Sequence, residues 1–411
     1  MKLEDSPTYA MPESQMHLTF CNERFGSEHS DLADKRTQLS IGIRPPSYAD
    51  DEGDGHLSAR ADGRYSALSI PGGFDTMHQQ ETWPALPLAE WQETYTTLHM
   101  YAQVVGKVRL ESSPMTNHWW QVPLYLTARG LTTSPITHGD KSFQLDFDLF
   151  DHELVVLTSE GETRRIPLGS AVKNFYARVM DTLEDLGVAV EIWPVPVEVA
   201  NPVPFEQDER SSYEPLSAHR FWQILRRVDA VFKQFRARFA GKCSPVQFYW
   251  GSFDLAVTRF SGRPVPPSPD ADVITRFSYN AELSSLGFWP GGTFPSGEGV
   301  REVGAAFYSY TFPEPPGFPD QPVWPEEASY DSQLGEFLLL YDDVRAADDP
   351  RRAILDFAQW TYEAGVRLQG WPMDELALQD ERPPRPRERP QETSEIAAQK
   401  APNPYPRGGE S

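Results

Sequence analysis

Lys242-Cys243-Ser244-Pro245-Val246-Gln247-Phe248-Tyr249-Trp250-Gly251-Ser252-Phe253-Asp254-Leu255-Ala256-Val257-Thr258-Arg259-Phe260-Ser261-Gly262-Arg263 is the stretch on which the fold turns. Val246, Phe248 and Trp250 alternate with Gln247, Tyr249 and Gly251. Past Gly251, Phe253, Leu255 and Val257 oppose Asp254, Ala256 and Thr258. A period of two is the mark of a β-strand with two different faces. Asp254 therefore shares a face with small residues, a floor with room for a ligand or for a partner such as Arg259 or Arg263. A carboxylate buried with neither is costly. Gly251 interrupts the alternation, which predicts a bulge or a close backbone approach.

Helical periodicity flanks this stretch. Phe221, Leu225, Val228, Phe232, Phe235 and Phe239 predict a long helix between Pro215 and Gly241. Leu88, Trp91, Tyr95, Leu98, Ala102 and Val105 predict another after Pro87, with His99 beside the apolar face as a core or edge histidine. Val172, Phe175, Val179, Leu183 and Leu186 predict a third, and Asp348–Pro350 opens a fourth that runs to about Leu368. Phe143–Leu149 alternates cleanly and, with Leu154–Thr158 and Thr163–Leu168, predicts an antiparallel meander. Val188–Val199 reads as an edge strand interrupted by Pro194 and Pro196. Arg129–Pro135 reads as a polar turn and Gly287–Gly292 as turn-like. Ala305–Phe312 is a strand with Tyr308 and Tyr310 on one side.

The fold expected is α+β: a mainly antiparallel, curved sheet packed against at least four helices over residues 81–377. Two similar-sized packed halves meeting near 200–215 are the alternative. Residues 1–80, rich in Ser, Gly, Asp and Glu, and the Pro-, Arg- and Glu-rich residues 378–411 are expected to be disordered.

Charge narrows the function classes. The net charge of −23 argues against nucleic-acid binding and against docking on anionic membranes. The two cysteines, Cys21 and Cys243, supply neither a disulfide framework nor a multi-cysteine zinc site. With no apolar run of membrane-spanning length and no signal-peptide pattern, the expectation is a soluble cytoplasmic protein. No Walker A loop, dinucleotide turn, His-Glu-x-x-His or Gly-x-Ser-x-Gly motif occurs, so no cofactor and no metal is assigned.

Several unusual motifs nonetheless occur in a fixed order: Asn117-His118-Trp119-Trp120, Leu131-Thr132-Thr133-Ser134-Pro135, Trp250-Gly251-Ser252-Phe253-Asp254-Leu255, Gly287-Phe288-Trp289-Pro290-Gly291 and Leu334-Gly335-Glu336-Phe337. Over roughly residues 83–371 the chain resembles an uncharacterised family of bacteria and fungi, a domain of unknown function. The resemblance implies histidines at the positions of Gln247 and Ala281, which with Glu282 and His118 would form a metal or acid–base cluster in relatives. This chain lacks both.

Two functions are expected from these residues. The first is an enzyme of small-molecule metabolism, in a biosynthetic pathway, with His118 as acid or base and Asp254 orienting it or binding a polar group of the substrate. Trp119, Trp250, Trp289 and Tyr308 would line the pocket, Arg129 or Arg259 would hold an anionic substituent, and Ser252 and Glu282 would add polar contacts. The second is a non-catalytic ligand-binding or accessory protein built on the same pocket.

Overall fold

The structure, a computed structural model, describes residues 82–296 and 299–378. The expected terminal extensions lie outside the described residues, apart from Leu378.

Helix α1 (Leu88–Ser112) opens the fold. Its second half is buried all round, Leu98 through Arg109 without a break. It is thus a central helix rather than the half-exposed one its periodicity predicts. Strands β1 (Tyr125–Leu126), β2 (Gly130–Thr132), β3 (Ile136–His138), β4 (Lys141–Asp148), β5 (Glu153–Thr158) and β6 (Thr163–Pro167) form an antiparallel sheet, β1-β2-β4-β5-β6, with β3 also on β4. Gly130–Thr132 of the predicted polar turn at Arg129–Pro135 is thus strand, and the flanking residues are not. Helix α2 (Val172–Asp185) buries Val172, Phe175, Val179 and Leu183, one apolar stripe.

Residues 188–199 are not a strand. Pro194 and Pro196 lack the N–H groups a ladder requires, and the segment is held by side chains instead. Helix α3 (Pro215–Arg236) starts where Glu214 accepts from the N–H groups of Leu216 and Ser217, and buries Phe221, Leu225, Val228, Phe232 and Phe235. Each such ring contributes roughly 1.5–3 kcal/mol on burial.

Strands β7 (Gln247–Tyr249) and β8 (Asp254–Pro264) form a hairpin, so the Trp250–Phe253 stretch is a turn between strands rather than a bulge within one. After the short helix α4 (Val273–Ser278) come β9 (Ala281–Trp289), the hairpin β10 (Gly292–Ser296) and β11 (Gly299–Val303), β12 (Ala306–Phe312), β13 (Ser329–Asp331) and β14 (Glu336–Leu340). Helices α5 (Tyr341–Ala346), α6 (Pro350–Leu368) and α7 (Met373–Leu376) follow. The second sheet runs β13-β14-β12-β9-β8-β7, all antiparallel. Gly287, expected in a turn, sits in the middle of β9.

The fold is α+β, as expected, with the antiparallel strands divided between two six-stranded sheets rather than one. A bridge between Leu124 and Phe248 joins them. One apolar cluster runs from Trp83 to Trp371, drawing on elements from both sides of residues 200–215.

The two faces of the second sheet differ. Phe248, Leu255, Val257, Leu286, Phe288, Phe307 and Leu339 are buried on one face, against which α3 and α6 pack. The other carries Gln247, Tyr249, Asp254, Ala256, Thr258, Ser285, Gly287, Tyr308, Tyr310 and Glu336.

Arg259 belongs to the apolar face. Its guanidinium lies 3.4 Å from the ring centre of Phe235, 4.4 Å from Tyr362 and 5.0 Å from Phe239. It donates to the Phe235 carbonyl, while its Nε has no partner. Burial pulls its pKa down to about 10. A buried charge held by ring faces rather than a carboxylate adds little net stability. Arg259→Met is therefore expected to unfold in urea within about 1 kcal/mol of the parent, or above it. A loss of about 3 kcal/mol would show that the cation itself is needed.

Candidate active site

The polar face of the second sheet carries the candidate site, buried at Asp254 and half-buried at Glu198 and Glu336. Ala256 on β8 pairs with Gly287 on β9, which pairs with Tyr308 on β12. A Cβ on Gly287 would lie 2.0–2.3 Å from the Tyr308 ring and hydroxyl. Only a residue without a side chain lets that ring lie across the strand and reach Asp254. Asp254 is 4% exposed and accepts hydrogen bonds from the hydroxyls of Tyr308 and Ser252. Tyr308 stacks beside Tyr310 at 6.2 Å, and the Tyr310 hydroxyl meets that of Tyr279 at 3.2 Å. Tyr249, paired with Asp254 across the hairpin, donates to Gln247. Trp289 hydrogen-bonds to Tyr95 of α1.

Two further carboxyl groups lie within electrostatic reach of Asp254. Glu198 comes from the irregular 188–199 segment, at a left-handed φ of 55°. It reaches over Gly251, where a Cβ would meet its Oε1 at 2.5 Å. Glu336 comes from the start of β14. Both are half-buried by exposure, yet protein surrounds them closely, as it does a side chain at the bottom of a concavity. Burial raises the Glu198 pKa to about 8, and the charge of Asp254 adds to the rise. Burial likewise raises Glu336 to about 8, with Asp254 and Asp331 contributing. Asp254 is pushed up by burial and drawn back by the Ser252 and Tyr308 hydroxyls. The surrounding phenols are raised too, Tyr310 to about 12 and Tyr95, Tyr249, Tyr279 and Tyr308 likewise upward, each chiefly by burial. The charges that act on Glu198 and Glu336 are other carboxylates, Asp254 on both and Asp331 on Glu336.

Two surface concavities elsewhere carry less chemistry. One lies between Pro325 and the start of α6; the other lies beside β1, where Lys233 is paired with Asp229 and Arg236 with the Ser244 carbonyl. Among the described residues no three His, Cys, Asp or Glu side chains are grouped to hold a metal ion, and no helix is long and apolar enough to cross a membrane.

Comparison with known proteins fits a fold met through its motifs alone. The profile of a family of unknown function, DUF5996, matches residues 83–378. The chain belongs to DUF5996. No curated protein and no solved structure matches it.

Within this DUF5996 chain, the structure brings together Ser252, Asp254 and Tyr308, with Trp289 on the same face. The other residues singled out in the sequence lie elsewhere. His118 packs on Phe260 at 4.4 Å, accepts from Lys242 Nζ at 2.7 Å and meets the Ser278 carbonyl at 3.3 Å. Burial and Lys242 lower its pKa. Phe260 is six residues along β8 from Asp254, about 20 Å in an extended strand, so Asp254 does not orient His118. Trp119 donates to the Ile274 carbonyl against α4. Trp250 is core: its ring fills the space above Gly106 and its Nε1 donates to the Val122 carbonyl. Arg129 binds Asp148 and Asp151 at the surface, Glu282 binds Arg263, and Arg259 lies on the opposite face of the sheet. The expected Arg259 or Arg263 partner for Asp254 is thus replaced by two hydroxyls.

The positions of Gln247 and Ala281 also separate. Gln247 is aligned with Ala256 and so with Gly287, six residues from Ala281, again about 20 Å. Histidines there would not converge on one site. Gln247 instead joins Tyr249 to Tyr125.

Sequence reading missed Glu198, Tyr95 and the site role of Glu336. Glu198 sits in a segment whose prolines mask its role. Tyr95 shares the helical spacing of core residues. Glu336, inside the Leu334–Phe337 motif, had the one usable signal: a carboxylate opening a buried strand.

Proposed function

We propose that this polar face is the floor of a recess that binds a small organic molecule bearing a positive charge and performs acid–base chemistry on it, as an enzyme of small-molecule metabolism. The observation that carries this is that Glu198 and Glu336 both lie within electrostatic reach of Asp254 on a tyrosine-rich sheet face, with carboxylates as the charges acting on them. An organic cation would gain from the carboxylates and from the faces of the tyrosines. Glu198 and Glu336, protonated at neutral pH, are suited to donate a proton. Asp254, the one that receives hydrogen bonds favouring its charged form, is suited to accept one.

Titration calorimetry with benzylamine, benzyl alcohol and benzoate at pH 7 tests this reading. Benzylamine is expected to bind with release of about one proton, read from buffers of different ionisation enthalpy, because a bound cation lowers the carboxyl pKa values. Benzoate is expected not to bind. Benzoate binding as tightly as the amine, or amine binding unchanged in the Asp254→Asn, Glu198→Gln double variant, would defeat it.

A further inference from the structure

The recess depends on a part of α1 that does not line it. His99 and Gln103 are one turn apart on that helix, 8% and 0% exposed. The Gln103 amide binds Val197 twice: its Nε2 donates to the Val197 carbonyl at 2.6 Å, and its Oε1 accepts from the Val197 N–H at 2.9 Å. This is the two-point pairing a neighbouring strand would give, offered by a side chain to a segment whose prolines keep it out of a sheet. His99 Nε2 lies 2.8 Å from the Gly251 carbonyl, which can only accept, so Nε2 carries the proton. The ring is held between Tyr95 and Phe253.

Val197 precedes Glu198, and Gly251 precedes the Ser252–Asp254 pair. The two tethers thus end next to the two acidic residues. The Glu198 carboxyl lies over Gly251 itself. A buried side-chain amide satisfied at both ends is worth more as a spacer than as a source of stability, because each bond nets only about 1 kcal/mol.

We propose that Gln103 and His99 are positioning residues: one turn of α1 ties the Val197–Glu198 segment to the Gly251–Asp254 turn and so sets how closely Glu198 approaches Asp254. This rests on the reading of the recess as an acid–base site. With the clamp released, Glu198 swings toward solvent and away from Asp254. The groups that face it are Asp254 of β8 and Tyr279 at the end of α4.

The test is the carboxyl titration of Glu198 in the full chain, followed by carbon-13 NMR with labelled glutamate and assigned with Glu198→Gln. Gln103→Met keeps the length of the side chain and removes both bonds. It is expected to lower the Glu198 pKa by about one pH unit or more toward an ordinary carboxylate. His99→Leu is expected to act in the same direction and His99→Gln, which can still donate to Gly251, to restore the parent value. Val104→Ala, a packing change on the same turn, is expected to lower the melting temperature with the Glu198 titration unmoved. Should Gln103→Met and His99→Leu both titrate as the parent does, the clamp is overturned while the acid–base reading stands. A parent Glu198 titrating at an ordinary carboxylate pKa would overturn both.

Discussion

Glu198→Gln is expected to be more stable than the parent at pH 9 and about equal to it at pH 5. The sign follows from linkage. In the folded protein Glu198 holds its proton to about pH 8, against an ordinary value of 4.5. A raised pKa of this kind contributes stability that is present in full below the unfolded pKa and is lost as pH rises through the folded one. Between pH 4.5 and 8 the parent must either keep a proton that the unfolded chain has released or ionise beside Asp254. Glutamine does neither. The whole shift at 1.36 kcal/mol per pH unit sets an upper limit of about 5 kcal/mol. Solvent reaching a half-buried side chain reduces this to about 2 kcal/mol, or a few degrees in melting temperature for a chain of this size. Thermal melts of parent and variant at half-unit steps from pH 5 to 9 check it. Parallel curves would mean that Glu198 ionises normally and the recess is wetter than its surroundings imply. Glu336→Gln is expected to follow the same course, since burial raises it to the same value.

The second large effect is expected at Gly287. Gly287→Ala places a Cβ 2.0–2.3 Å from the ring and hydroxyl of Tyr308, far inside van der Waals contact. The ring cannot retreat without giving up its bond to Asp254, and β9 cannot retreat because β8 and β12 pair with it on either side. Overpacking of this kind costs about 2–3 kcal/mol. Urea unfolding should show that loss. Tyr308→Leu in the Gly287→Ala background should recover most of it, because the two changes share one space and cannot be additive. A Gly287→Ala protein as stable as the parent, or a double variant showing simple additivity, would mean that Tyr308 does not lie across Gly287.

These two positions show where sequence reading succeeds and where it stops. Alternation placed Asp254 with Ala256 and Thr258 on one strand face, and Tyr308 with Tyr310 on another. Both placements hold, because a period of two needs only the local backbone. Gly287, in a run of Gly, Trp and Pro, reads locally as a turn. Its place at the centre of β9 is a demand made by Tyr308 from the next strand. Glu198 was hidden for a related reason: its segment has no regular structure and is shaped by Gln103, a residue 94 positions away at its neighbour Val197.

The sequence by itself determined the four long helices, the antiparallel meander of β4 to β6, the α+β class, the membership of a family of unknown function through its ordered motifs, and the polar strand face with Asp254 on it. Periodicity and turn chemistry act over a few residues, so they can be read from a few residues. Tertiary structure alone decided which acids meet. It brought Glu198 and Glu336 within electrostatic reach of Asp254, moved His118 about 20 Å along the strand, and turned Arg259 to the far face. Such meetings depend on the order of strands and on the packing of α1 beneath them, and no spacing along the chain encodes either.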